Sequence, residues 1–362
     1  MNDKIAIRIL SKYLRKGNMS RCLRDVLPSS KLDLKEREEI AGLIHDIVRW
    51  KRLYDKILED SGYEKTPESY IKISRGEYNI DKGRFTDRLE LRYSCSDYIA
   101  DILKDKLEWA EYLNTNPETA LCVNFNKSHT TEVIKILKKE DLPSIRSELE
   151  STVITSSLAR YSSVISNHYA HIQDESSQLI AYMADNYGRS ILDLCAGNGG
   201  KSLAIASISR NKKEISAYEI DNKRRATLKK RCFDYNANVK IHDKKPDDRY
   251  DVVLVDAPCT GVGAARRNPE AKYVNGAGDY PELQYKLLDE AFRLIEKDGV
   301  VLYTVCTFAP EETVDLIKRY TEERGVKPLT PPSHYSRFLI DTEIGYFTKM
   351  PHGDIFYISI LR

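Results

Sequence analysis

Two cysteines follow apolar stretches at positions where a thiol could react. The stretch DVVLVDAPCTG (251–261) predicts a buried strand that ends at Asp256 and is followed by Pro258 and Cys259. The stretch GVVLYTVCT (299–307) predicts a second strand with Cys306 at its end. Because ligands of open α/β sheets bind beyond the carboxyl ends of the strands, we expect both thiols on the edge where chemistry occurs. They could be core residues, a disulfide, a metal-binding pair or two reactive thiols.

The distribution of the seven cysteines narrows these alternatives. The cysteines lie at positions 22, 95, 122, 195, 232, 259 and 306, and no C-x-x-C or clustered Cys/His spacing occurs. An odd number of widely spaced cysteines argues against a disulfide framework, and the spacing argues against a zinc site. We therefore expect reduced thiols and no metal. A free cysteine is also a good small apolar core residue, so a structural role stays open.

Reactive thiols would suit chemistry on a pyrimidine ring. Carbon 5 of cytosine is a poor nucleophile, but a thiolate that adds to carbon 6 makes carbon 5 enamine-like. Asp256 could hydrogen-bond the amino group or ring nitrogen of the base. Lys201 could lower the pKa of a thiol or orient Asp256. From the residues alone, either cysteine could be the nucleophile.

A glycine-rich turn precedes these stretches, in ILDLCAGNGGKS (191–202). A phosphate-binding P-loop would need glycine at position 195, which is Cys195, and a dinucleotide fingerprint would need glycine at position 202, which is Ser202. An S-adenosylmethionine site fits better, because acids stand at three successive strand ends: Asp193, Glu219 and Asp243. A carboxylate about 20 residues after the turn can bind ribose hydroxyls. The alternative is that the later acids are solvated loop residues.

The elements that must position these residues alternate from Gln173 onward. Predicted strands at 190–197, 214–221, 238–243, 250–259 and 299–307 alternate with predicted helices, including one over 280–299, and a final strand covers 354–362. Such alternation predicts an α/β fold with a doubly wound, mostly parallel sheet and helices on both faces.

The first half of the chain has a different character. Residues 1–112 predict a helical bundle, because apolar residues recur at helical spacing in segments such as 36–60. Residues 113–172 predict a small α/β domain with strands at 116–127, 151–157 and 161–172 and a helix at 128–142. We expect three domains: 1–112, 113–172 and 173–362.

Composition excludes little beyond a membrane protein. Of the 362 residues 41% are hydrophobic and 31% charged, and the net charge is +2, so a nucleic-acid surface would have to be a local patch. No apolar run reaches the roughly 18 residues of a membrane span, and the N-terminus lacks a signal-peptide core. We expect a cytoplasmic protein that is monomeric and does not bind membranes.

The motifs together resemble one enzyme family. QDESSQL (173–179), LDLCAGNGGKS (192–202), VDAPCTGVGAARRNPEAKY (255–273), LYTVCTFAPEET (302–313) and HGDIFYISILR (352–362) occur in the order found in RsmB/NSUN RNA cytosine-5 methyltransferases. Residues 1–112 resemble, more loosely, the NusB-like helical domain of the bacterial small-subunit (16S) rRNA branch. Residues 113–172 resemble the family's small, RNA-recognition-like extension. The resemblance implies a Rossmann-like class I fold for 173–362 and S-adenosyl-L-methionine as cofactor.

The resemblance also assigns roles to the two thiols. In this family the nucleophile is the cysteine of the later motif, here Cys306, and the cysteine of the earlier motif, here Cys259, acts in product release. The chain departs from the family at Val305, where threonine is common, and at Asn198, where proline or a small residue is common.

The catalytic set implied is Cys306, Cys259, Asp256 and Lys201. The cofactor-binding set expected is Cys195, Ala196, Gly197, Gly199, Gly200, Lys201, Glu219, Arg224, Asp243 and Asp256. The substrate-binding set expected is Pro258, Arg266, Arg267 and Asn268. Strand residues 121–126 and the helical bundle are expected to extend the RNA surface, whereas the basic run 222–231 is expected to be a solvated helix face.

The expected partner is RNA. The NusB-like region favours rRNA, and tRNA is the alternative because sister branches of the family modify it. A catalytically silent RNA-binding or ribosome assembly factor is an alternative of another class, but Asp256, Cys259 and Cys306 are all present. A nicotinamide-dependent oxidoreductase is disfavoured by the failed dinucleotide fingerprint.

Overall fold

The computed structural model describes residues 3–78 and 85–362. Residues 1–2 and 79–84, which belong to the predicted helical region 1–112, lie outside the described residues. The α-helices are α1 (Asp3–Lys16), α2 (Met19–Val26), α3 (Leu34–Arg49), α4 (Lys51–Asp60), α5 (Pro67–Ser74), α6 (Leu89–Arg92), α7 (Asp97–Leu103), α8 (Leu107–Leu113), α9 (Thr130–Lys139), α10 (Ser163–Ser166), α11 (Glu175–Tyr187), α12 (Gly200–Ile208), α13 (Asn222–Asp234), α14 (Tyr280–Leu294) and α15 (Val314–Arg324).

The strands form two sheets. They are β1 (Thr119–Val123), β2 (Ser144–Arg146), β3 (Thr152–Thr155), β4 (Ala170–Ile172), β5 (Ser190–Asp193), β6 (Glu214–Tyr218), β7 (Val239–His242), β8 (Tyr250–Asp256), β9 (Ile295–Val305), β10 (Leu339–Asp341), β11 (Tyr346–Thr348) and β12 (Tyr357–Leu361). The smaller sheet has the order β2-β3-β1-β4, and the larger has the order β10-β11-β12-β9-β8-β5-β6-β7.

The chain divides into two compact units. One consists of Met1–Asn116 and Ala264–Gly276, and the other of Pro117–Gly263 and Ala277–Arg362. The first unit contains α1–α8 around an apolar core that includes Ile9, Ile44 and Leu58. The short segment 264–276 belongs to this helical unit although both of its flanks belong to the other one. The division into three domains stays a prediction.

The larger sheet confirms the predicted α/β fold with its Rossmann-like domain. Strands β7, β6, β5, β8 and β9 are parallel neighbours in that order, and β12, β11 and β10 continue the sheet in antiparallel fashion. Residues Val252–Val255 of β8 are fully buried, as expected for a central strand covered on both faces. Because β5, β6, β8 and β9 run in parallel, their carboxyl ends and the loops that follow meet at one edge.

The structure corrects two predicted elements. The stretch 161–172 was expected to be a strand, but it forms the short helix α10, a turn, and the strand β4 only from Ala170. The Ser162 side chain accepts a hydrogen bond from the Val164 N–H and caps α10, and His168 has a φ of 58°, which a strand does not allow. The predicted helix 280–299 ends at Leu294, because Ile295 is extended and pairs with Tyr250 of β8.

The expected RNA surface on strand residues 121–126 is also wrong. Leu121, Cys122 and Val123 have no exposed surface, and Asn124 is 2% exposed. Cys122 packs in the core of the larger sheet, and Leu121 and Val123 pack in a separate core beside α9 and α10. Both faces of β1 are therefore covered, and only the far end of this stretch reaches solvent.

None of the helices in residues 3–78 and 85–362 combines the length and the apolar character that crossing a bilayer requires.

Candidate active site

The two thiols lie next to each other at the carboxyl edge of the larger sheet. Strands β8 and β9 are adjacent and parallel, with Asp256 opposite Thr304, so the loops that follow them start side by side. The Sγ atoms of Cys259 and Cys306 are 3.5 Å apart, and both cysteines are free and partly exposed. This separation is too long for a disulfide and short enough for a hydrogen bond between thiol and thiolate.

The protonation of Cys259 is set by its neighbour. The hydrogen bond with Cys306 and burial raise the pKa of the Cys259 thiol well above its ordinary value, and the negative charges of Cys306 and Glu312 add to the shift. Cys259 therefore holds its proton at neutral pH. A protonated thiol beside a potential nucleophile can serve as a general acid.

Glu312 is the buried carboxylate that joins both thiol-bearing loops. Its side chain has no exposed surface. Its Oε2 accepts from the Thr260 N–H at 3.0 Å and from the Gln284 Nε2 at 2.9 Å. Its Oε1 accepts from the hydroxyls of Thr260 and Thr307, the latter at 3.2 Å. Gln284 also donates to the Pro258 carbonyl at 2.9 Å, so Glu312 fixes the chain on either side of Cys259.

Asp256 and Lys201 form an ion pair at the same edge. The Lys201 Nζ lies 2.6 Å from the Asp256 Oδ2, and the side chains are 7% and 33% exposed. Lys201 stands in the first turn of α12, and its ammonium group lies 5.1 Å from the centre of the Phe356 ring. Of its two predicted roles, this geometry favours orienting Asp256, whose carboxylate stays partly open to a ligand.

The glycine turn has the backbone that only glycine adopts at low cost. Gly197 and Gly199 have φ values of 55° and 84°, in the left-handed region. A Cβ on Gly199 would lie 2.3 Å from the Leu228 side chain, whereas one on Gly197 would meet nothing within 4 Å. The turn therefore leaves an open approach at Gly197, and Gly199 allows α13 to pack closely behind it.

Two buried acids flank this turn. Glu219 is 4% exposed; its Oε2 accepts from the Gly197 N–H at 2.8 Å, and its Oε1 lies 3.0 Å from Arg224. Asp193 is 1% exposed, and burial raises its pKa to about 6 despite a 2.6 Å hydrogen bond from Ser202. The other Asp193 oxygen, Oδ1, has no hydrogen-bond partner among the described residues.

A cofactor with hydroxyl and amino donors fits this arrangement. Asp193 Oδ1 is a buried acceptor without a donor among the described residues, so a donor on the cofactor could bind there. The Glu219 carboxylate lies where ribose hydroxyls bind in such folds. Cys195 is partly exposed and Ala196 is buried in the turn, and Gly200 begins α12.

Asp243 lies away from this buried pair. It follows β7, its side chain is 72% exposed, and it lies 2.7 Å from Lys229 and 3.4 Å from Arg225. The hydrogen bond from Lys229 lowers the pKa of Asp243. Its predicted place in the cofactor-binding set stays a prediction.

The predicted substrate residues 266–268 lie in the helical unit. Arg266 is 3% exposed; its guanidinium stacks 4.2 Å from the centre of the Tyr112 ring, donates to the Tyr112 hydroxyl at 2.5 Å and reaches the Asn116 carbonyl at 3.2 Å. Arg267 is half-buried and Asn268 is exposed. These contacts explain why the Arg266 side chain is buried, and its binding to RNA stays a prediction.

The residues that hold the thiols in place were not predicted from the sequence. Glu312 lies in the motif LYTVCTFAPEET (302–313), but nothing local marks it as buried. Gln284 lies in an ordinary amphipathic helix and carried no signal. In residues 3–78 and 85–362 no group of three or more His, Cys, Asp or Glu side chains is arranged to hold a metal ion.

Comparison with known proteins agrees with this site. The family described as 16S rRNA methyltransferase RsmB/F matches residues 180–362. A Bacillus subtilis (strain 168) protein named probable ribosomal RNA small subunit methyltransferase B is 30% identical over 223 residues, which are 57% of this chain and 50% of the relative. A Yersinia enterocolitica ribosomal RNA small subunit methyltransferase B is 27% identical over 275 residues, 70% of this chain and 62% of the relative. The chain spans about half the length of the curated relatives it matches.

Solved structures share the fold. The crystal structure of PH0851 superposes with a TM-score of 0.82 at 19% identity and covers 100% of this chain and 99% of its own. NSun6 from Pyrococcus horikoshii with SFG has a TM-score of 0.60 at 16% identity and covers 78% of this chain and 97% of its own. Because the family match spans more than half of the chain and contains the glycine turn and both thiols, the chain belongs to the 16S rRNA methyltransferase RsmB/F family.

Proposed function

We propose that the protein methylates carbon 5 of a cytidine in RNA, with small-subunit rRNA as the substrate, through a covalent bond between Cys306 and the base. The observation that carries this proposal is the pair of free thiols 3.5 Å apart at the carboxyl edge of the sheet, beside the Lys201–Asp256 ion pair. Two neighbouring thiols suit this chemistry, because one can attack the ring and the other can assist release of the product. The names of the relatives favour rRNA over tRNA.

S-adenosylmethionine is the cofactor that family membership assigns to the chain, and it supplies an electrophilic methyl group. The glycine turn, Glu219 and Asp193 are the residues that would hold it. The described residues then have two tasks: to make carbon 5 of the base nucleophilic, and to free the product.

Activation of the base begins with Cys306. Its thiolate adds to carbon 6, the carbon 5–carbon 6 double bond opens, and the electrons make carbon 5 nucleophilic. Asp256 accepts a hydrogen bond from the amino group of the cytosine and so orients its edge. Lys201 holds the Asp256 carboxylate in place, since the two are 2.6 Å apart. A cytidine inside a helix would first have to be flipped out of the stack.

Release of the product requires loss of the carbon 5 proton and cleavage of the bond between sulfur and carbon 6. The largest cause of the raised pKa of Cys259 is its hydrogen bond with Cys306. Once Cys306 is a thioether it carries no negative charge, so the pKa of Cys259 falls and the thiol can release its proton to solvent. The Cys259 thiolate then takes the carbon 5 proton as the carbon 5–carbon 6 double bond re-forms, and the bond between carbon 6 and sulfur breaks to restore the Cys306 thiolate.

The test separates the two thiols. Cys306→Ala should abolish methyl transfer, whereas Cys259→Ala should accumulate a covalent protein–RNA adduct that survives denaturing electrophoresis. Activity in Cys306→Ala, or a Cys259→Ala variant that is inactive and forms no adduct, would contradict the assignment. Glu219→Ala should lose cofactor binding by calorimetry while Cys306→Ala keeps it. Bisulfite mapping of cellular RNA with and without the protein identifies the RNA and the position.

A further inference from the structure

Helix α13 carries an exposed aromatic side chain among lysines. Phe233 is 86% exposed, the most exposed of the large hydrophobic residues in residues 3–78 and 85–362. Lys229 and Lys230 stand four and three positions earlier, on the same face of the helix, and their side chains are 50% and 74% exposed. Lys127 joins them, because its ammonium group donates to the Asp234 carbonyl at the end of the helix. We call Lys127, Lys229, Lys230 and Phe233 the Phe233 surface.

The charge around this surface is strongly positive for a nearly neutral chain. Helix α13 has six Lys or Arg residues, and Lys127 makes seven. Four acids, Glu219, Asp221, Asp234 and Asp243, accompany them, which leaves an excess of three positive charges, whereas the whole chain has a net charge of +2. Polyanions are therefore attracted here more than to the rest of the molecule.

We propose that the Phe233 surface binds single-stranded RNA; this inference rests on the proposed function. A base stacks on the exposed ring of Phe233, and Lys127, Lys229 and Lys230 contact the flanking phosphates. An exposed ring among cations is the arrangement by which proteins bind single strands, because every unpaired base offers a flat face and every linkage offers a charge. Paired bases inside a duplex cannot stack in this way.

The position of α13 supports this role. The helix begins after β6, and Arg224 lies 3.0 Å from Glu219, while Arg231 donates to the Asn198 carbonyl of the glycine turn at 2.8 Å. Its 13 residues span about 20 Å, with Arg224 near one end and Phe233 near the other, so a strand lying along it would reach from the Phe233 surface to the Glu219 carboxylate. Strand β1 cannot serve instead, because it is buried on both faces.

The experiment measures RNA binding by fluorescence anisotropy across a series of salt concentrations, with a labelled single-stranded RNA that contains one cytidine. Phe233→Ala should weaken binding by about tenfold, as expected for the loss of one stacked base, without changing the salt dependence. Lys230→Ala should instead lower the slope of log K against log salt by about 0.7, the value for one phosphate of a single strand. The matched control is Ile145→Ala with Lys139→Ala, an exposed apolar and basic pair elsewhere on the same unit.

Thermal melting and cofactor calorimetry should show all variants to be folded and able to bind cofactor. Wild-type affinity and salt slope in both Phe233→Ala and Lys230→Ala would overturn the proposal, as would equal loss in the control. Variants that bind RNA as the wild type does but no longer self-associate in sedimentation would also overturn the proposal, because the surface would then be a contact between proteins. Methyl transfer by the wild-type protein is measured separately, so that its absence refutes the proposed function and leaves the binding result interpretable.

Discussion

Replacing Glu312 by glutamine or by alanine should have opposite effects on stability, because the two changes remove different properties. Glutamine keeps the shape of the side chain and removes only the charge. Its oxygen can take the place of Oε2 and accept from Thr260 and Gln284. Its amide nitrogen can take the place of Oε1 and donate to the hydroxyl of Thr260 or Thr307, since a hydroxyl both donates and accepts.

Alanine removes every acceptor at once. Two donors that cannot turn away, the Thr260 N–H and the Gln284 amide, lose their buried partner at a cost of about 1–3 kcal/mol each. The free energy of unfolding should therefore fall by about 2–6 kcal/mol, before any cost of the cavity. That loss is a large part of the 5–15 kcal/mol that stabilises an ordinary domain.

The charge of Glu312 makes the glutamine result depend on pH. Burial raises the pKa of Glu312 above its ordinary value, so the folded state holds this proton more tightly than the unfolded state does. The stability that Glu312 contributes is therefore present at acid pH and is lost as the pH rises through the pKa of Glu312 in the folded state. Relative to wild type, Glu312→Gln should gain stability from acid to neutral pH, and it should lower the pKa of Cys259 because one negative charge is removed.

Urea denaturation at several pH values measures the first effect. The rate of alkylation of Cys259 against pH, followed by mass spectrometry, measures the second. The reasoning fails if Glu312→Gln is as unstable as Glu312→Ala at neutral pH, since the contacts would then require the charge itself. It also fails if the pKa of Cys259 is unchanged or higher in Glu312→Gln.

Three further substitutions test other parts of the structure. Thr304→Val should raise the free energy of unfolding by about 1 kcal/mol, because the Thr304 hydroxyl is buried without a hydrogen-bond partner among the described residues; a loss in urea denaturation would contradict this. Gly199→Ala should cost more stability and more cofactor affinity than Gly197→Ala, since both have positive φ but only a Cβ at 199 meets Leu228; equal losses in urea and calorimetry would refute the packing argument. Burial lowers the pKa of Lys272 to about 7, below its value in the unfolded chain, so the contribution of Lys272 to stability should rise with pH between about 7 and 10. Lys272→Met should remove that rise, measured by urea denaturation at about pH 7 and about pH 9, and an unchanged pH dependence in the variant would contradict this.

The fold of the second half followed from the sequence because its signals are local. Runs such as Val252–Val255 are long enough to predict central strands, and the glycines at 197 and 199 predict a turn. The rule that strand ends share an edge then placed Cys259 near Cys306. Stretch 161–172 failed for a local reason as well: its β-branched residues favour a strand, but the Ser162 cap outweighs that preference.

The rest depends on contacts between residues far apart in the chain. Nothing local in segment 264–276 indicates that Lys272 is buried in the helical unit, where carbonyl oxygens of Arg49 and Tyr93 and the side chain of Asn114 accept its three hydrogen bonds. The apolar run along β1 is compatible with burial, but it does not show that two separate cores cover the two faces of the strand. Sequence periodicity identifies which side chains are buried and leaves open what buries them.

The difference between Cys259 and Cys306 also depends on contacts between residues that are far apart in the chain. The residue types at the strand ends were enough to predict reactive thiols, and only family resemblance chose between them. The structure shows a physical difference on the side of Cys259: it lies in a loop fixed by Glu312, and its pKa is raised by its hydrogen bond with Cys306, by burial and by both negative charges. These causes come from segments 47 and 53 residues further along the chain, at 306 and 312. A thiol that keeps its proton until its neighbour reacts is suited to release, and that property belongs to the assembled pair rather than to either motif.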